Sequence, residues 1–388
     1  MHIDMDAYFA SVERLLDPSL TGKPIAVIGT GKRTVILSPS YEARKYGVKT
    51  GMTIGEAKKH CSTLILVKAH LDAYRKYSEL FLKILYDFTP IVESYSIDEA
   101  FMDITNSDKL IGTPLTVARS LKHRIKQELN LTCSVGIAPN KLLAKIASDL
   151  NKPDSISIID EEYIKTKLPH LPVYKVPGIG PHTTKALHEL GIKTCGDLSK
   201  IPMTRLRSIF GALGGKLYNM ARGIDDEPVI PEELVSDAKS IGNSMTLDKD
   251  CINIDKLKAY ILELSELVGK RLRHEGFQCK GVELTIRYSN FETVSFHRSL
   301  SVTTDSTIDI YNAAIMILSK HKIKMPVRLV GLTATNLSRY TTDSLFVSER
   351  KLRQAFKIMD DINTCFGEST ITIGTLVNKK MHLQNLSS

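Results

Sequence analysis

Two short acidic segments are embedded in apolar sequence that alternates as a β-strand does. Residues 93–104, ESYSIDEAFMDI, carry Asp98 and Glu99 side by side. The segment HIDMD near the N-terminus carries Asp4 and Asp6 two positions apart, so on a strand these two side chains share one face. A buried carboxylate costs free energy unless it is paired or holds a metal ion. The two segments therefore raise the question of a shared metal site.

Carboxylates from two paired strands would form an oxygen-rich site that suits Mg²⁺. Two such ions about 4 Å apart would hold the attacking and leaving oxygens of a phosphoryl transfer. Each acidic pair taken singly is also typical of a tight turn or of a solvated surface. Because both pairs stand in apolar, strand-like sequence, together they favour a metal site over these alternatives.

The bulk composition limits the setting in which this chemistry could occur. The chain has 388 residues, a length that suggests roughly two to four domains. Its 43% hydrophobic and 24% charged residues are typical of a soluble protein with ample core. No apolar run approaches the roughly 18 residues of a membrane span. The acidic N-terminal sequence is not that of a signal peptide. The six cysteines form no C-x-x-C pair, which argues against a zinc ribbon or a disulfide framework and for a reduced, cytoplasmic setting.

A net charge of +9 favours a polyanionic partner such as nucleic acid, although many enzymes without one are equally basic. The segment VPGIG, followed by a helical pattern that ends in LGI, is the signature of a helix-hairpin-helix. Its glycines allow close approach of the backbone, and its amide groups can bind phosphate without reading bases. We therefore expect Gly178, Gly180 and Lys185 to contact DNA. A helix C-cap followed by proline is the alternative interpretation.

The hydrophobic periodicity predicts the elements that must position these residues. Strands at 2–5 and 25–28 flank a helix, and alternating strands and helices continue to about residue 163, which predicts an α+β or α/β unit. Short helices broken by Gly and Pro follow. An exposed linker then leads to a β-α-β-β-α-β unit, and one helix near 349–366 is predicted in the remaining sequence.

Two further segments carry basic residues. SYEARKYGVKTGM contains Tyr41 and Arg44, which could bind phosphate oxygens through a hydroxyl and a guanidinium fork. NKLLAKIASDLNKP places Lys145 and Lys152 two helical turns apart on a similar face. Each segment alone is equally consistent with a solvated helix face.

Together these segments resemble the Y-family translesion DNA polymerases of the bacterial DNA polymerase IV type. The resemblance rests on HIDMDAYFASVE, SYEARKYGVKTGM, YSIDEAFMDI, SVGIAPNKLLAKIASDLNKP and VPGIG with LGI, in family order across residues 2–340. It implies an α+β multidomain fold, a right-hand polymerase with palm, fingers, a helical thumb containing the helix-hairpin-helix, and a little finger domain. The implied boundaries are palm 1–7 and 74–163, fingers 8–73, thumb 164–230, linker 231–241, little finger 242–340 and C-terminal extension 341–388.

The resemblance also implies a site with two Mg²⁺ ions. Asp4, Asp98 and the backbone carbonyl of Met5 would hold the nucleotide-bound ion. Asp4, Asp98 and Glu99 would hold the catalytic ion that activates the primer 3′-hydroxyl. Asp6 matches the motif but is not expected to be a direct ligand.

The same resemblance assigns the nucleotide contacts. Phe9 aligns with the steric gate, whose ring crowds a ribose 2′-hydroxyl and so selects deoxynucleotides. Val35 and Leu37 lie where small residues form the roof over the template base. The residues expected to bind the nucleotide are Phe9, Ser38, Tyr41, Arg44 and Lys152.

The implied activity is template-directed DNA synthesis on a primer-template with dNTPs, by a monomer of low fidelity and low processivity. Short fingers and the lack of an exonuclease motif imply translesion synthesis. Residues 342–346, TDSLF, resemble a sliding-clamp-binding peptide but lack its usual Gln, and packing of the Leu-Phe pair on the little finger is the alternative. Only three residues precede Asp4, fewer than is usual in the family, so the first strand is expected to be short or its start trimmed.

Two other functions compete with polymerase activity, and a structure-specific nuclease is a distant third. A nucleotidyl cyclase also uses paired acids and two metals, but it would not need the helix-hairpin-helix. A non-catalytic DNA-binding accessory protein would keep the fold without the activity, but Asp4, Asp98 and Glu99 are all intact.

Overall fold

The computed structural model describes residues 1–105, 112–234, 237–339, 347–367 and 370–374. The chain forms two compact units. The first comprises Met1–Thr30 and Thr34–Val235, and the second comprises Gly31–Arg33 and Ser236–Ser388. Among the described residues, no helix is both long and apolar enough to cross a membrane.

A five-stranded sheet forms the centre of the first unit, with strand order β5-β6-β1-β7-β8. Strand β1 lies in the middle, antiparallel to β6 on one side and to β7 on the other. Its alternating side chains include the fully buried Ile3. The strands are β1 His2–Met5, β5 Val92–Ser94, β6 Glu99–Met102, β7 Cys133–Ile137 and β8 Ile156–Ile158.

Four helices lie around this sheet, and three of them complete its hydrophobic core, namely Tyr8–Leu16, Leu71–Tyr86 and Pro114–Leu129. Helix α6 packs on β1 and β7, where a Cβ atom at Gly136 would lie 2.0 Å from the carbonyl oxygen of Ala144. Only glycine permits this approach, because 2.0 Å is far inside van der Waals contact. The helices are α1 Tyr8–Leu16, α4 Leu71–Tyr86, α5 Pro114–Leu129 and α6 Lys141–Leu150.

A smaller three-stranded sheet, with order β3-β2-β4, lies within the same unit and has its own small core. Ser40 caps the helix that follows β3 by accepting a hydrogen bond from the Ala43 amide at 3.3 Å. Thr53 and Glu56 form a capping box at the next helix. The elements are β2 Ile25–Ile28, β3 Ile36–Pro39, β4 Ile65–Lys68, α2 Tyr41–Lys45 and α3 Ile54–His60.

The rest of the first unit is a group of short helices, and their apolar core also includes buried side chains of α6. The predicted hairpin turns at Gly178, where φ is +87°, and a second turn follows at Gly191, where φ is +78°. Both values lie in the left-handed region that glycine tolerates best. The helices are α7 Glu161–Thr166, α8 Pro181–Glu189, α9 Cys195–Ser199, α10 Met203–Phe210 and α11 Ala212–Met220.

The second unit contains a four-stranded antiparallel sheet of order β11-β10-β12-β9, which buries its core beneath two helices. The element order confirms the predicted β-α-β-β-α-β unit. Its first strand begins at Ser240, two residues inside the predicted linker. The elements are β9 Ser240–Cys251, α12 Ile254–Glu275, β10 Phe277–Tyr288, β11 Thr293–Thr304, α13 Thr307–Lys320, β12 Val327–Arg339 and α14 Val347–Phe366.

Two of the sequence predictions concern Asp6 and residues 342–346. Asp6 was expected on the strand face of Asp4, but β1 ends at Met5 and Asp6 lies in the turn that follows, so the two acids do not share a strand. The peptide TDSLF, at 342–346, lies outside the described residues.

Candidate active site

The two acidic segments lie on adjacent strands. In the pairing of β1 with β6, Asp4 stands opposite Glu99. Asp98 occupies the turn immediately before β6, and its carbonyl oxygen accepts a hydrogen bond from the Met5 amide at 2.9 Å. The central position of β1 therefore brings the carboxylates of the two motifs together, as the sequence predicts.

A cleft of about 250 Å³ opens beside these acids. Glu99 and Val35 are not among its lining residues, whereas Leu37 is. The structure thus collects around one cavity residues that lie far apart in the sequence and that the resemblance assigns to metal and nucleotide. The predicted residues that line the cleft are Asp4, Met5, Phe9, Ser38, Tyr41, Arg44, Asp98 and Lys152.

Two lysines pair with the acids. The ammonium nitrogen of Lys152 lies 2.7 Å from Oδ2 of Asp4 and 2.7 Å from Oδ1 of Asp149. The ammonium group of Lys145 contacts Oε2 of Glu99. Lys145 lies on α6, and Lys152 follows its end, so the close packing of α6 against the sheet positions both cations.

The pKa values of Asp4 and Glu99 shift in opposite directions. Burial raises the pKa of Asp4 to about 7, although Lys152 acts in the opposite direction. Burial also acts to raise the pKa of Glu99, but the nearby His2 ring and the Lys145 ammonium outweigh it and lower that pKa to about 2. The surroundings therefore compensate the negative charge of Asp4 less than that of Glu99. A bound cation would stabilise the charged Asp4.

His2 belongs to this cluster and was not predicted. It is fully buried; its Nδ1 lies 2.8 Å from Oγ of Ser148 and its Nε2 lies 3.3 Å from Oε2 of Glu99. Among the described residues, Nε2 makes no well-formed hydrogen bond. Burial lowers the pKa of His2. The i, i+2 spacing of His2 and Asp4 on β1 was the sequence signal that could have identified it.

The donors fit a metal ion. Potential ligand atoms of His2, Asp4 and Glu99 lie within 4.8 Å of one another. Asp98 was predicted as a ligand, and its Oδ1 accepts a hydrogen bond from Oγ of Ser96 at 2.6 Å. Asp98 also lies close enough to Asp4 for its negative charge to raise the pKa of Asp4. Carboxylate oxygens suit a hard divalent cation.

Asp6 has a different environment. It is buried, with 2% of its surface exposed, and accepts hydrogen bonds at 2.8 Å from both Oγ of Ser134 and the amide of Asp154. The Tyr41 hydroxyl lies 3.5 Å from the same carboxylate. Because these protein donors satisfy its oxygens, Asp6 orders the turn after Lys152 and the ring of Tyr41.

Aromatic and basic side chains complete the cleft. Phe9 stacks on Tyr74 with ring centroids 4.2 Å apart and an angle of 9° between the planes. The Arg44 guanidinium carbon lies 4.7 Å from the centroid of the Tyr41 ring, and its Nε donates to the Pro39 carbonyl at 3.1 Å. These contacts orient side chains that face the cleft.

The predicted DNA-contact residues lie on the helical part of the first unit. Gly180 is the N-cap of α8, and Lys185 projects from that helix with 80% of its side chain exposed. A shallow surface groove runs beside it, lined by Tyr174, Pro181 and His188 among others. A positive charge beside exposed helix N-terminal amides can attract phosphate.

Three family models match the chain. Residues 3–149 match the impB/mucB/samB family, and residues 238–345 match its C-terminal domain. Residues 174–225 match the thumb domain of DNA polymerase-iota, which argues against a nucleotidyl cyclase.

Similar proteins span nearly the whole chain. A protein of Moorella thermoacetica named DNA polymerase IV is 39% identical over 95% of this chain and 93% of its own length. A DNA polymerase IV of Bacillus velezensis is 39% identical over 98% of this chain and 93% of its own length. A solved Y-family DNA polymerase chimera superposes with a TM-score of 0.78 at 26% identity, over 87% of this chain and 99% of the chimera. The chain therefore belongs to the impB/mucB/samB family, the Y-family DNA polymerases of the DNA polymerase IV type.

Proposed function

We propose that this Y-family polymerase carries out translesion synthesis by adding deoxynucleotides to a primer 3′ end at the cleft beside Asp4 and Asp98. The observation that carries the proposal is that one cleft is lined by both acids and by the side chains assigned to the nucleotide. Residues from β1, α1, β3, α2 and the turn after α6 would thus act on one bound substrate.

Asp4, Asp98, Glu99 and the Met5 carbonyl are the proposed ligands of two Mg²⁺ ions. Bound Mg²⁺ would neutralise phosphate charge and lower the pKa of the primer 3′-hydroxyl. Burial raises the pKa of Asp4 to about 7, so the charged carboxylate is costly in the protein alone. A bound Mg²⁺ would favour that charged form, which supports Asp4 as a ligand.

The triphosphate would lie against Tyr41, Arg44 and Lys152, with Ser38 assisting. Arg44 offers a planar fork of donors, and Lys152 offers a compact positive charge. Asp6 holds two parts of this site in place. Its carboxylate contacts the Tyr41 hydroxyl and the amide of Asp154, which follows Lys152 by two residues.

Phe9 is proposed as the steric gate. It is half-buried, lines the cleft and is backed by the ring of Tyr74. A ring held in this way would clash with a ribose 2′-hydroxyl while accepting deoxyribose.

The proposed domains are those implied by the resemblance, with the thumb binding primer-template DNA through Gly178, Gly180 and Lys185. We further propose a cytoplasmic monomer. Sliding-clamp binding through 342–346 is part of the proposal, and it rests on the sequence alone.

Primer extension on an undamaged template, with Mg²⁺ and each dNTP or rNTP, tests the activity and the metal site together. Asp98→Ala should abolish extension, whereas Asp17→Ala should not, because Asp17 is an exposed acid outside the cleft. Extension that persists in Asp98→Ala would refute the assigned metal site. Failure of the unmodified protein to extend a primer that it binds would refute polymerase activity and favour an accessory role.

A further inference from the structure

Glu13 is a carboxylate buried beside the cleft but not part of it. It lies on α1 with 1% of its surface exposed. Its Oε1 accepts a hydrogen bond from the hydroxyl of Tyr74 and a second, at 3.2 Å, from the His70 amide. The ring Nδ1 of His70 lies 2.9 Å from Oε2. Glu13 thus joins α1 to the start of α4.

Tyr74 connects this carboxylate to the cleft. It is fully buried, and its ring is the one that stacks on Phe9 at 4.2 Å. Its backbone carbonyl accepts a hydrogen bond from the Tyr8 hydroxyl at 2.6 Å. Tyr8 therefore fixes the backbone of Tyr74, and Glu13 fixes the far end of its side chain.

Helix geometry explains why one residue meets both partners. Phe9 and Glu13 are four positions apart on α1, so they lie one turn apart on the same face. That face meets α4, where the Tyr74 ring spans the distance between them. The hydrogen bond to Glu13 therefore lies at the far end of the same ring against which Phe9 packs.

We propose that Glu13 is a positioning residue for sugar discrimination: by holding the Tyr74 hydroxyl, it keeps the Phe9 ring in the plane that excludes a ribose. The inference rests on the proposed role of Phe9 as the steric gate. Glu13 itself touches no substrate and acts through Tyr74.

The energetics agree with a positioning role. A buried carboxylate costs free energy that an apolar side chain at the same place would not. Here the hydrogen bonds from Tyr74 and His70 offset that cost. Burial and the contact with Glu13 raise the pKa of Tyr74, so its hydroxyl remains a donor at physiological pH.

The test compares kcat and KM for a dNTP and the matching rNTP in Glu13→Ala, Glu13→Gln and Tyr74→Phe. Glu13→Ala should raise the relative use of the rNTP about tenfold, mainly through a lower KM for the rNTP. Tyr74→Phe keeps the ring but removes the donor, so it should match Glu13→Ala. Glu13→Gln keeps a carbonyl oxygen that can accept from Tyr74 and should restore most of the discrimination.

Asp72→Ala is the matched control, because Asp72 is an exposed acid on α4 whose partner is Arg75 at the surface. It should leave the sugar ratio unchanged. Equal losses of dNTP and rNTP use in Glu13→Ala and Tyr74→Phe, with an unchanged ratio, would overturn the inference. If Glu13→Ala does not fold, Tyr74→Phe alone decides.

A parallel Phe9→Leu variant separates the two proposals. If it relaxes sugar selection while Tyr74→Phe does not, only the role of Glu13 is wrong. If Phe9→Leu leaves the ratio unchanged, the steric-gate assignment is wrong, and the inference is overturned with it.

Discussion

The ammonium nitrogen of Lys152 lies 2.7 Å from Oδ2 of Asp4, so a proposed triphosphate ligand is paired with a proposed metal ligand. Both side chains line the same cleft. On the proposed assignments, binding of metal and nucleotide would require an exchange of partners, with Asp4 available to hold the metal and Lys152 to hold the triphosphate.

Lys152→Ala should change metal and nucleotide affinity in opposite directions. The KM for dNTP should rise about ten- to a hundredfold, because a charge-assisted hydrogen bond contributes about 1.5–3 kcal/mol. Mg²⁺ should bind more tightly without nucleotide at pH 8, because a competing cation has left Asp4. Steady-state kinetics and a calorimetric Mg²⁺ titration measure the two effects.

Lys165→Ala is the control for this pair of measurements, because Lys165 lies on α7, is 73% exposed and pairs with Glu161. It should change neither quantity. Weaker Mg²⁺ binding in Lys152→Ala would contradict the competition between the lysine and the metal.

The raised pKa of Asp4 predicts the pH dependence of stability. The folded carboxyl has a pKa of about 7, against 3.8 for the ordinary group, so the folded state holds more protons between these values. The contribution of Asp4 to stability must then fall as pH rises through this window. Asp4→Asn removes the effect and should raise the melting temperature in EDTA more at pH 8 than at pH 5, by about 2–4 °C for each kcal/mol gained.

Asp17→Asn serves as the control for the melting experiment, because Asp17 is an exposed acid outside the cleft. Mg²⁺ should raise the melting temperature of the unmodified protein at pH 8, because it binds the folded carboxylate. An Asp4→Asn gain that is equal at both pH values would show that Asp4 is not the titrating group.

Gly136→Ala tests how closely α6 must pack on the sheet. The added Cβ would meet the Ala144 carbonyl oxygen at 2.0 Å and the Ser148 amide nitrogen at 2.5 Å, both of which are backbone atoms. We expect a loss of about 1–3 kcal/mol or more in the free energy of unfolding and lower activity, because α6 carries Lys145. Urea denaturation and primer extension measure these losses.

Gly55→Ala is the matched control, since nothing lies within 4 Å of a Cβ at that helical position. It should be neutral or gain up to about 1 kcal/mol, because alanine favours helix. Equal stability of the two variants would contradict the close approach at Gly136.

Lys185→Ala should weaken DNA binding without altering the chemistry. Loss of one phosphate contact should reduce the slope of log affinity against log salt by about 1, and the loss should be similar for every template sequence. Fluorescence anisotropy with labelled primer-template across a salt series measures the slope. An unchanged slope would place Lys185 outside the DNA interface.

The sequence predicted the element types well where periodicity was long and regular, as in the β-α-β-β-α-β unit, because side-chain spacing directly reflects which face is buried. It also located both acidic motifs, since charge within an apolar strand pattern is a local signal. The boundary at Ser240 and the end of β1 at Met5 were less predictable, because strand ends depend on pairing with distant residues.

By itself, then, the sequence determined the order of the elements and the membership of the family, and it located the acids of the candidate site. Only the tertiary structure decided which side chains meet the carboxylates in and beside the site: Lys152 on Asp4, His2 beside Glu99, and the Tyr74 hydroxyl on Glu13. The longest of these separations, between Lys152 and Asp4, is 148 positions along the chain. Spacing along the chain carries no information on such pairs, because their geometry is set by how the strands and helices pack.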